Sequence, residues 1–502
     1  MIFNSPTFLI FLAICAIVFY ILPHKRQNLF LLLASYVCYM WAVPQYGVLV
    51  LGTTLLCFFC ARRIDTAQNE NTRKRRLAAG IIIPILILGA FKYFNFFMGG
   101  ITWIFARFGV SYMAPEITWL LPVGISFYTF QLIGYCVDVY RGKLAHEKSF
   151  VDFALFISFF PQVLSGPIGR ADELLPQYKE ERSFCYGTVS EGIRRFLLGL
   201  FKKAVVADGF GLLVNSVYNN LREYSGVTLL AAALMYGVQI YFDFAGYSDM
   251  AIGAAKIFGI TLRENFCAPY FASGIGEFWK RWHMSLTSWF RDYIYIPLGG
   301  NRRGFVRKLL NITIVFVASG LWHGASITFV VWGLVHAAAR VSEELLSKIP
   351  RSEAPKKKNP LLTAVERIAV FVFASLAFVL FRADTLGDAI YVYSRILRDG
   401  DTAAQLARVW NTASPGITLG ATYTFLFFAI LTISTILVFA FDAMLARSIS
   451  NGQAPIYNPL TCCKSTVTRW ILYWYMGFAS MLFYFICLTA SRGAASFIYF
   501  GF

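Results

Sequence analysis

The chain has 502 residues, 58% of them hydrophobic, and a mean hydropathy of +0.59. A soluble globular protein is about half apolar at most, so these values exclude one and imply a polytopic membrane protein. The net charge of +18 would suggest nucleic acid in a soluble chain, yet Lys and Arg collect in short segments between apolar runs, as the basic bias of cytoplasmic loops requires, and no nucleic-acid partner is expected.

Seven runs, 7–23, 77–98, 117–140, 228–246, 363–382, 418–440 and 469–490, are each long enough to cross an apolar core roughly 30 Å thick at about 1.5 Å per residue. They set a floor of seven spans, and counting crossings from an outside N-terminus, with 204–217 and a 309–342 hairpin included, gives an all-α polytopic fold of about 11–12. Run 7–23 has no basic n-region and no small-residue cleavage site, and reads as a retained anchor. Segment 28–61 is too long for one span, and Pro44, with Gln45 and Gly47 beside it, splits it into a hairpin. That hairpin puts "HKR" (24–26) and "RRIDTAQNENTRKRR" (62–76) on one side, cytoplasmic by charge, with the N-terminus outside.

Spans 77–98 and 117–140 return the chain to "RGKLAHEK" (141–148), and "RRFLLGLFKK" follows at 194–203. Between these basic stretches, "FALFISFFPQVLSGPIGR" holds Pro161, Gly166, Pro167 and Gly169. These free backbone groups that lipid cannot satisfy, so the piece is expected to be re-entrant and to lie against protein or a polar cavity. The same reasoning makes 262–308 re-entrant or interfacial. The linker-like "SKIPRSEAPKKKNP" (347–360) reads as a cytoplasmic loop, and 1–502 as a single integral domain with a core about 80–345 and C-terminal helices in 363–502. The ten cysteines sit mostly in apolar runs. Neither Cys57-x-x-Cys60 nor Cys462-Cys463 has a second pair or a histidine at ligand spacing, so no metal site and no disulfide framework is expected.

The chemistry-bearing residues are few. His323 closes an apolar run that starts near 309, and Gly324 breaks the helix behind it. A ring at that depth either hydrogen-bonds a neighbouring helix or faces a cavity as a catalytic group. His336, beside Arg340, reads as interfacial. In 276–304, read as one helix, Trp279, Trp282, His283, Leu286, Trp289 and Phe290 share a face while Lys280, Arg281 and Ser288 lie elsewhere. An interfacial amphipathic helix explains the Trp and Arg but not a histidine on the apolar face. Asp138 is expected to pair with Arg141 at i,i+3. Asp243 and Asp249 lie in apolar surroundings, and Asp243, with no local partner, is a candidate to orient a histidine or hold a re-entrant helix.

Taken together, "PVGISFYTFQLIGYCVDVYRG" (122–142), "FFPQVLSGPIGR" (159–170), "QIYFDFAGYSDMAIGAAKIFGI" (239–260), "NFCAPYFASGIGEFWKRWHMSLTSWFRDYIYIPLGGNR" (265–302) and "GLWHGASITFVVWGLVHA" (320–337) closely resemble the membrane-bound O-acyltransferase family. The match is to the bacterial branch of alginate and peptidoglycan O-acetyltransferases. It runs from about residue 1 to "FRAD" (381–384) and takes in the terminal "FIYFGF". The resemblance implies helices around a central tunnel, with His323 catalytic and His283 an essential second residue, and neither block departs from the family pattern. The D-alanyl-transferring branch is an alternative, though its members are usually shorter and lack this C-terminal extension.

Acyl transfer from a thioester to a hydroxyl needs a base of near-neutral basicity, which histidine supplies, and oxyanion donors such as the indoles of Trp282 and Trp322 or Ser326. The expected donor is acetyl-coenzyme A, its phosphates drawn by Lys280, Arg281, Arg291, Arg302 and Arg303 on the cytoplasmic side. The acceptor is expected to be an extracytoplasmic polysaccharide, reached directly or through an SGNH-type partner enzyme, and the location the bacterial inner membrane. Tyr499, on the short terminal "SFIYFGF", is expected either to anchor the outer interface or to relay the acetyl group. A transporter or flippase for lipid-linked sugars is the rival reading, and it would not need His323.

Overall fold

The computed structural model describes every residue except 42, 113–114, 116–121, 165, 225, 350–358, 400–420, 456, 459–464 and 492–502. All regular structure among the described residues is helical. The first helix, α1 (Pro6–Ile21), starts where Ser5 accepts from the Phe8 N–H and Pro6 presets φ. Phe8, Leu12, Cys15 and Phe19 are buried at helical spacing, while Ile10, Ile14, Ile17 and Ile21 on the other side are 56% to 76% exposed. A helix apolar on both faces belongs in lipid.

Helices α2 (His24–Met40) and α3 (Gln45–Asp65) part at Pro44, where the hairpin was expected. Next, α4 (Glu70–Lys92) meets α5 (Phe94–Arg107) at a 63° bend around Tyr93. The following helix, α6 (Ile125–Tyr140), is buried along nearly its whole length. The expected re-entrant piece forms α7 (Phe150–Ser158) and α8 (Phe160–Val163), kinked at Phe159, and Phe153, Leu155, Phe156, Phe159 and Phe160 are at most 1% exposed. Protein encloses it, which is what a broken backbone at membrane depth needs.

Beyond α9 (Ala171–Lys179), α10 (Tyr186–Phe201) runs antiparallel to the 32-residue α12 (Gly226–Ile257), with a π-helical turn at 202–207 and α11 (Asp208–Tyr218) between them. A Cβ at Gly192 would lie 2.8 Å from the Gly253 carbonyl oxygen, and one at Gly199 2.5 Å from that of Gly246. Four glycines at seven-residue spacing thus let two backbones touch. Such close van der Waals packing holds helices together where lipid provides no hydrophobic drive.

The same junction buries charge. Lys203 pairs with Asp208 and Asp243, each at 2.6 Å. Asp249 binds Arg195 at 2.6 Å and Lys202 at 2.8 Å, and Arg195 reaches Glu264 at 2.7 Å. Burial pushes the Glu264 carboxyl above its usual range against the pull of Arg195. Asp243 thus has an ion-pair partner in Lys203, forty positions away in sequence, and the pair ties α12 to the π-helical turn. Asp138 pairs with Lys143 at 3.2 Å and accepts from the Tyr293 hydroxyl at 2.5 Å, not from Arg141, which stacks on Tyr293 instead.

Segment 276–304 is not one helix. It forms α13 (Ile275–Arg281) and α14 (Met284–Phe290), with the break at Trp282 and His283, then a π-helical turn at 291–295. Two helices, α15 (Phe305–His323) and α16 (Ile327–Leu346), form a tight hairpin: a Cβ at Gly320 would lie 2.2 Å from the Phe329 carbonyl oxygen, and one at Gly333 2.4 Å from that of Phe316. The described chain closes with α17 (Pro360–Arg382), α18 (Leu386–Arg398), α19 (Ala421–Ser450) and α20 (Thr466–Ser491).

Five described helices are long and apolar enough to cross a membrane: α3, α12, α15, α17 and the Phe425–Ser450 part of α19; the bent α4–α5 pair would make a sixth. Among the other crossings expected from the sequence, 7–23 falls on the 16-residue α1 and the described part of 117–140 on the 16-residue α6, both shorter than these. They gain their surroundings from protein as much as from lipid: one contiguous buried cluster extends from Phe3 to Phe483.

Candidate active site

The α15–α16 hairpin places His323. Gly324, with φ −161° and ψ 155°, ends α15 directly behind it, and Ser326 caps α16 by accepting from the Thr328 N–H at 3.3 Å. His323 is 4% exposed. The last carbonyls of α15 lack intrahelical donors, as at any helix end, and the α4–α5 bend supplies them. Lys92 Nζ donates to the carbonyls of Trp322 at 2.6 Å and His323 at 2.9 Å, and the Tyr93 hydroxyl donates to that of Leu321.

His283 reaches the same place from the α13–α14 break. Its backbone is left-handed, with φ 44° and ψ 53°; among the described non-glycine residues only Ala268 shares a positive φ. For an L-residue this is an uncommon, costly conformation that persists where its surroundings over-determine it. They do so here: the Met284 N–H donates to the Asn265 carbonyl at 2.8 Å, and the Cys267 N–H to that of Arg281 at 2.9 Å, tying both sides of His283 to the 265–268 strand of chain. The side-chain Nδ1 lies 3.1 Å from Asn265 Oδ1.

The rings then form a continuous run. The Trp322 indole packs against both His283, at 6.0 Å between centroids, and His323, at 4.9 Å. Trp332 packs against both His323, at 5.2 Å, and His336, at 4.8 Å. Trp279 Nε1 donates to His336 Nδ1 at 3.3 Å. His336 is fully buried, so the interfacial position expected of it is wrong. It lies about two and a half turns along α16 from the helix start, and Gly333 draws that helix against α15, which turns the ring inward rather than toward the surface.

The other expected site residues divide. Trp322 is central. Trp282 is 1% exposed, and its indole packs among Phe266, Phe278 and Phe378. Ser326 is half-buried, its oxygen also accepting from the Thr328 hydroxyl at 3.1 Å. Lys280 is exposed, while Arg281 is paired with Glu277 at 2.5 Å. Asp243 belongs to the ion cluster on α12. Arg302 and Arg303 line an open groove of ≈ 420 Å³ beside Gly299 and Gly300, a loop that Asn311 holds by donating to the Gly300 carbonyl at 2.9 Å. Tyr499 lies outside the described residues. Sequence reasoning had no handle on Asn265, whose polar side chain sits in an aperiodic loop. Lys92, in "GAFKYFNFF", did carry a signal: a lone cation within an apolar run.

A model of the membrane-bound O-acyltransferase family matches residues 142–382. The chain is 37% identical over 403 residues to the "Probable alginate O-acetylase" of Pseudomonas aeruginosa, covering 80% of this chain and 75% of that protein. It is 34% identical over 431 residues to the "Peptidoglycan O-acetyltransferase" of Helicobacter pylori, covering 78% and 79%. Against the "Teichoic acid D-alanyltransferase" of Bacillus subtilis the identity is 30% over 275 residues, 52% of this chain and 68% of that one.

Proposed function

The chain belongs to the membrane-bound O-acyltransferase family and is a multi-pass membrane O-acyltransferase, and from that membership we propose that it moves an acetyl group from acetyl-coenzyme A to a polysaccharide outside the bacterial inner membrane. The observation that carries the reading is the pair of buried imidazoles, His323 and His283, both packed edge-on against one indole, that of Trp322. The acceptor is an alginate-like exopolysaccharide or peptidoglycan, in keeping with relatives so named that match over about four-fifths of this chain. The shorter match to D-alanyltransferases makes D-alanine the lesser alternative.

In the reaction His323 accepts the proton of the attacking hydroxyl. The oxygen bonds to the thioester carbonyl carbon, the carbon–sulfur bond breaks, and the proton passes to the departing thiolate. General-base assistance of this kind contributes roughly 10² to 10⁴ in rate; the rest comes from alignment in a dry site. His283 completes the acceptor or donor side. The exposed Lys280 and the basic groove at Arg302 and Arg303 attract the donor phosphates. An SGNH-type enzyme outside the membrane completes delivery where the acceptor does not reach the site itself, and Tyr499 is the candidate relay to it.

The test is ester-linked acetate, released by mild base from the cell-wall and exopolysaccharide fractions of a strain carrying the protein as its sole such transferase. Wild type should add acetate, and His323→Ala, at equal membrane abundance, less than a tenth of it. D-alanine in place of acetate would reassign the donor. Full acetylation by His323→Ala would instead favour a transporter.

A further inference from the structure

A histidine serves as a base only when the proton it already carries is on the other nitrogen, and in His283 a backbone group decides which. The Ser285 N–H lies 3.2 Å from Asn265 Oδ1, and the Ser285 hydroxyl 2.8 Å from the same atom. A backbone N–H can only donate. The Asn265 atom facing it is therefore the carbonyl oxygen and not the amide nitrogen, which settles an assignment that side-chain shape leaves open. The Asn265 nitrogen is occupied on its own side, donating to Ser248 Oγ on α12 at 3.1 Å.

That same Oδ1 lies 3.1 Å from His283 Nδ1. A carbonyl oxygen can only accept, so Nδ1 carries the proton. A neutral imidazole has one N–H proton, so Nε2 is left with a lone pair, and Nε2 has no hydrogen-bond partner among the described residues. Asn265 and His283 are both 0% exposed, and the backbone bonds between 265–267 and 281–284 keep the two side chains in register.

We infer that Asn265 is a positioning residue which locks His283 in the Nδ1–H tautomer and so keeps Nε2 free to accept a proton or a hydroxyl hydrogen bond during acyl transfer. The inference rests on the proposed part of His283 in that reaction. Without the Asn265 oxygen the ring is free to take the other tautomer or to turn, and the acceptor edge is lost without any loss of the imidazole itself. The logic is that of a buried carbonyl or carboxylate orienting a catalytic or metal-bound histidine through its second nitrogen.

The experiment compares N265L, N265D, S285A and H283A by the ester-acetate assay, with membrane abundance and thermal unfolding of the detergent-solubilised protein measured alongside. N265L, close in size but without the acceptor, should lose at least tenfold of the acetate. N265D keeps an oxygen toward Nδ1 and should recover most of it, and S285A, which removes a hydroxyl from the same oxygen but leaves His283 its partner, should acetylate as wild type. Where N265L does not accumulate, N265A takes its place. Acetylation by folded N265L or N265A within threefold of wild type, with H283A inactive, overturns the inference, and so does a folded N265D no better than N265L. An active H283A would instead remove the proposed role of His283, and a wild type that adds no acetate would remove the proposed function.

Discussion

Lys92→Met should leave the fold standing and cost activity. Lys92 Nζ donates to the Trp322 and His323 carbonyls at 2.6 and 2.9 Å, and no carboxylate pairs with it among the described residues. Losing it leaves two buried acceptors short of a donor at about 1–3 kcal/mol each, plus roughly 0.3–2 kcal/mol of attraction between a cation and the negative end of α15. Against this, removing a half-buried ammonium that has no carboxylate partner among the described residues relieves a desolvation penalty of up to several kcal/mol. The two sides are of similar size, and methionine fills the volume of the aliphatic stem, so global stability should change little. Catalysis has no such compensation. The last turn of α15 carries His323 and is held at its carbonyls, and a displacement on the order of 1 Å in a reacting group costs about 10² in rate. Ester acetate should therefore fall 10- to 100-fold on the scale set by that estimate. Tyr93→Phe removes one neutral hydrogen bond to the Leu321 carbonyl, worth about 0.5–1.5 kcal/mol, with Lys92 still in place, and should lower acetylation far less. Lys92→Met acetylating within threefold of wild type at equal abundance would refute the reasoning.

In the ion cluster, Lys203→Met strands Asp208 and Asp243 as buried charges and should destabilise by about 3–5 kcal/mol; thermal unfolding in detergent should show it, and a triple change that also makes both acids amides should restore much of the loss. Gly199→Leu drives a side chain into the Gly246 carbonyl, 2.5 Å from where a Cβ would stand, so the variant should fail to accumulate in the membrane, and normal yield would show that α10 and α12 do not touch there. Cysteines introduced in 62–76 and 347–360 should resist an impermeant thiol reagent added to intact cells; labelling from outside would reverse the assigned orientation. Tyr499→Phe keeps an aromatic anchor and removes the nucleophile, so polysaccharide acetylation at the wild-type level would end its candidacy as a relay.

The sequence was most legible where a local rule governs. Pro44 split a segment too long for one span, Gly324 ended the helix behind His323, and the prolines and glycines of 161–169 marked a backbone that had to be enclosed. It failed where a distant partner decides. Trp279 through Phe290 satisfy a 3.6-residue period, yet the chain breaks at His283, because backbone bonds from Asn265 and Cys267 hold that residue left-handed, and a period cannot register a bond from twenty residues away. Asp138 had an arginine at i,i+3 and chose Lys143 and Tyr293. Asp243 had no local cation, and Lys203 answers it from a neighbouring helix. His336 stood beside Arg340 and read as interfacial, but Gly333 lets α16 press against α15, and that contact sets which way the ring points.

The three buried imidazoles share a run of aromatic rings, yet their hydrogen bonds make them unequal. Trp279 Nε1 can only donate, so His336 Nδ1, 3.3 Å away, is an acceptor and the single proton of a neutral ring sits on Nε2. In His283 the carbonyl of Asn265 can only accept, which places the proton on Nδ1. The outer two rings are thus held in opposite tautomers, each by a buried group whose donor or acceptor character cannot change. Burial disfavours a charged imidazole that has no acid partner, so in the resting site neither ring is expected to escape its assignment by taking a second proton. At the edge away from its anchor, His336 has a proton to give and His283 a lone pair. A hydroxyl needing a proton acceptor is served by the second kind of edge and not the first. The sequence presents two similar histidines in two aromatic blocks, and it is the partner on Nδ1, an indole in one case and an amide oxygen in the other, that fits only His283 to accept a proton alongside His323.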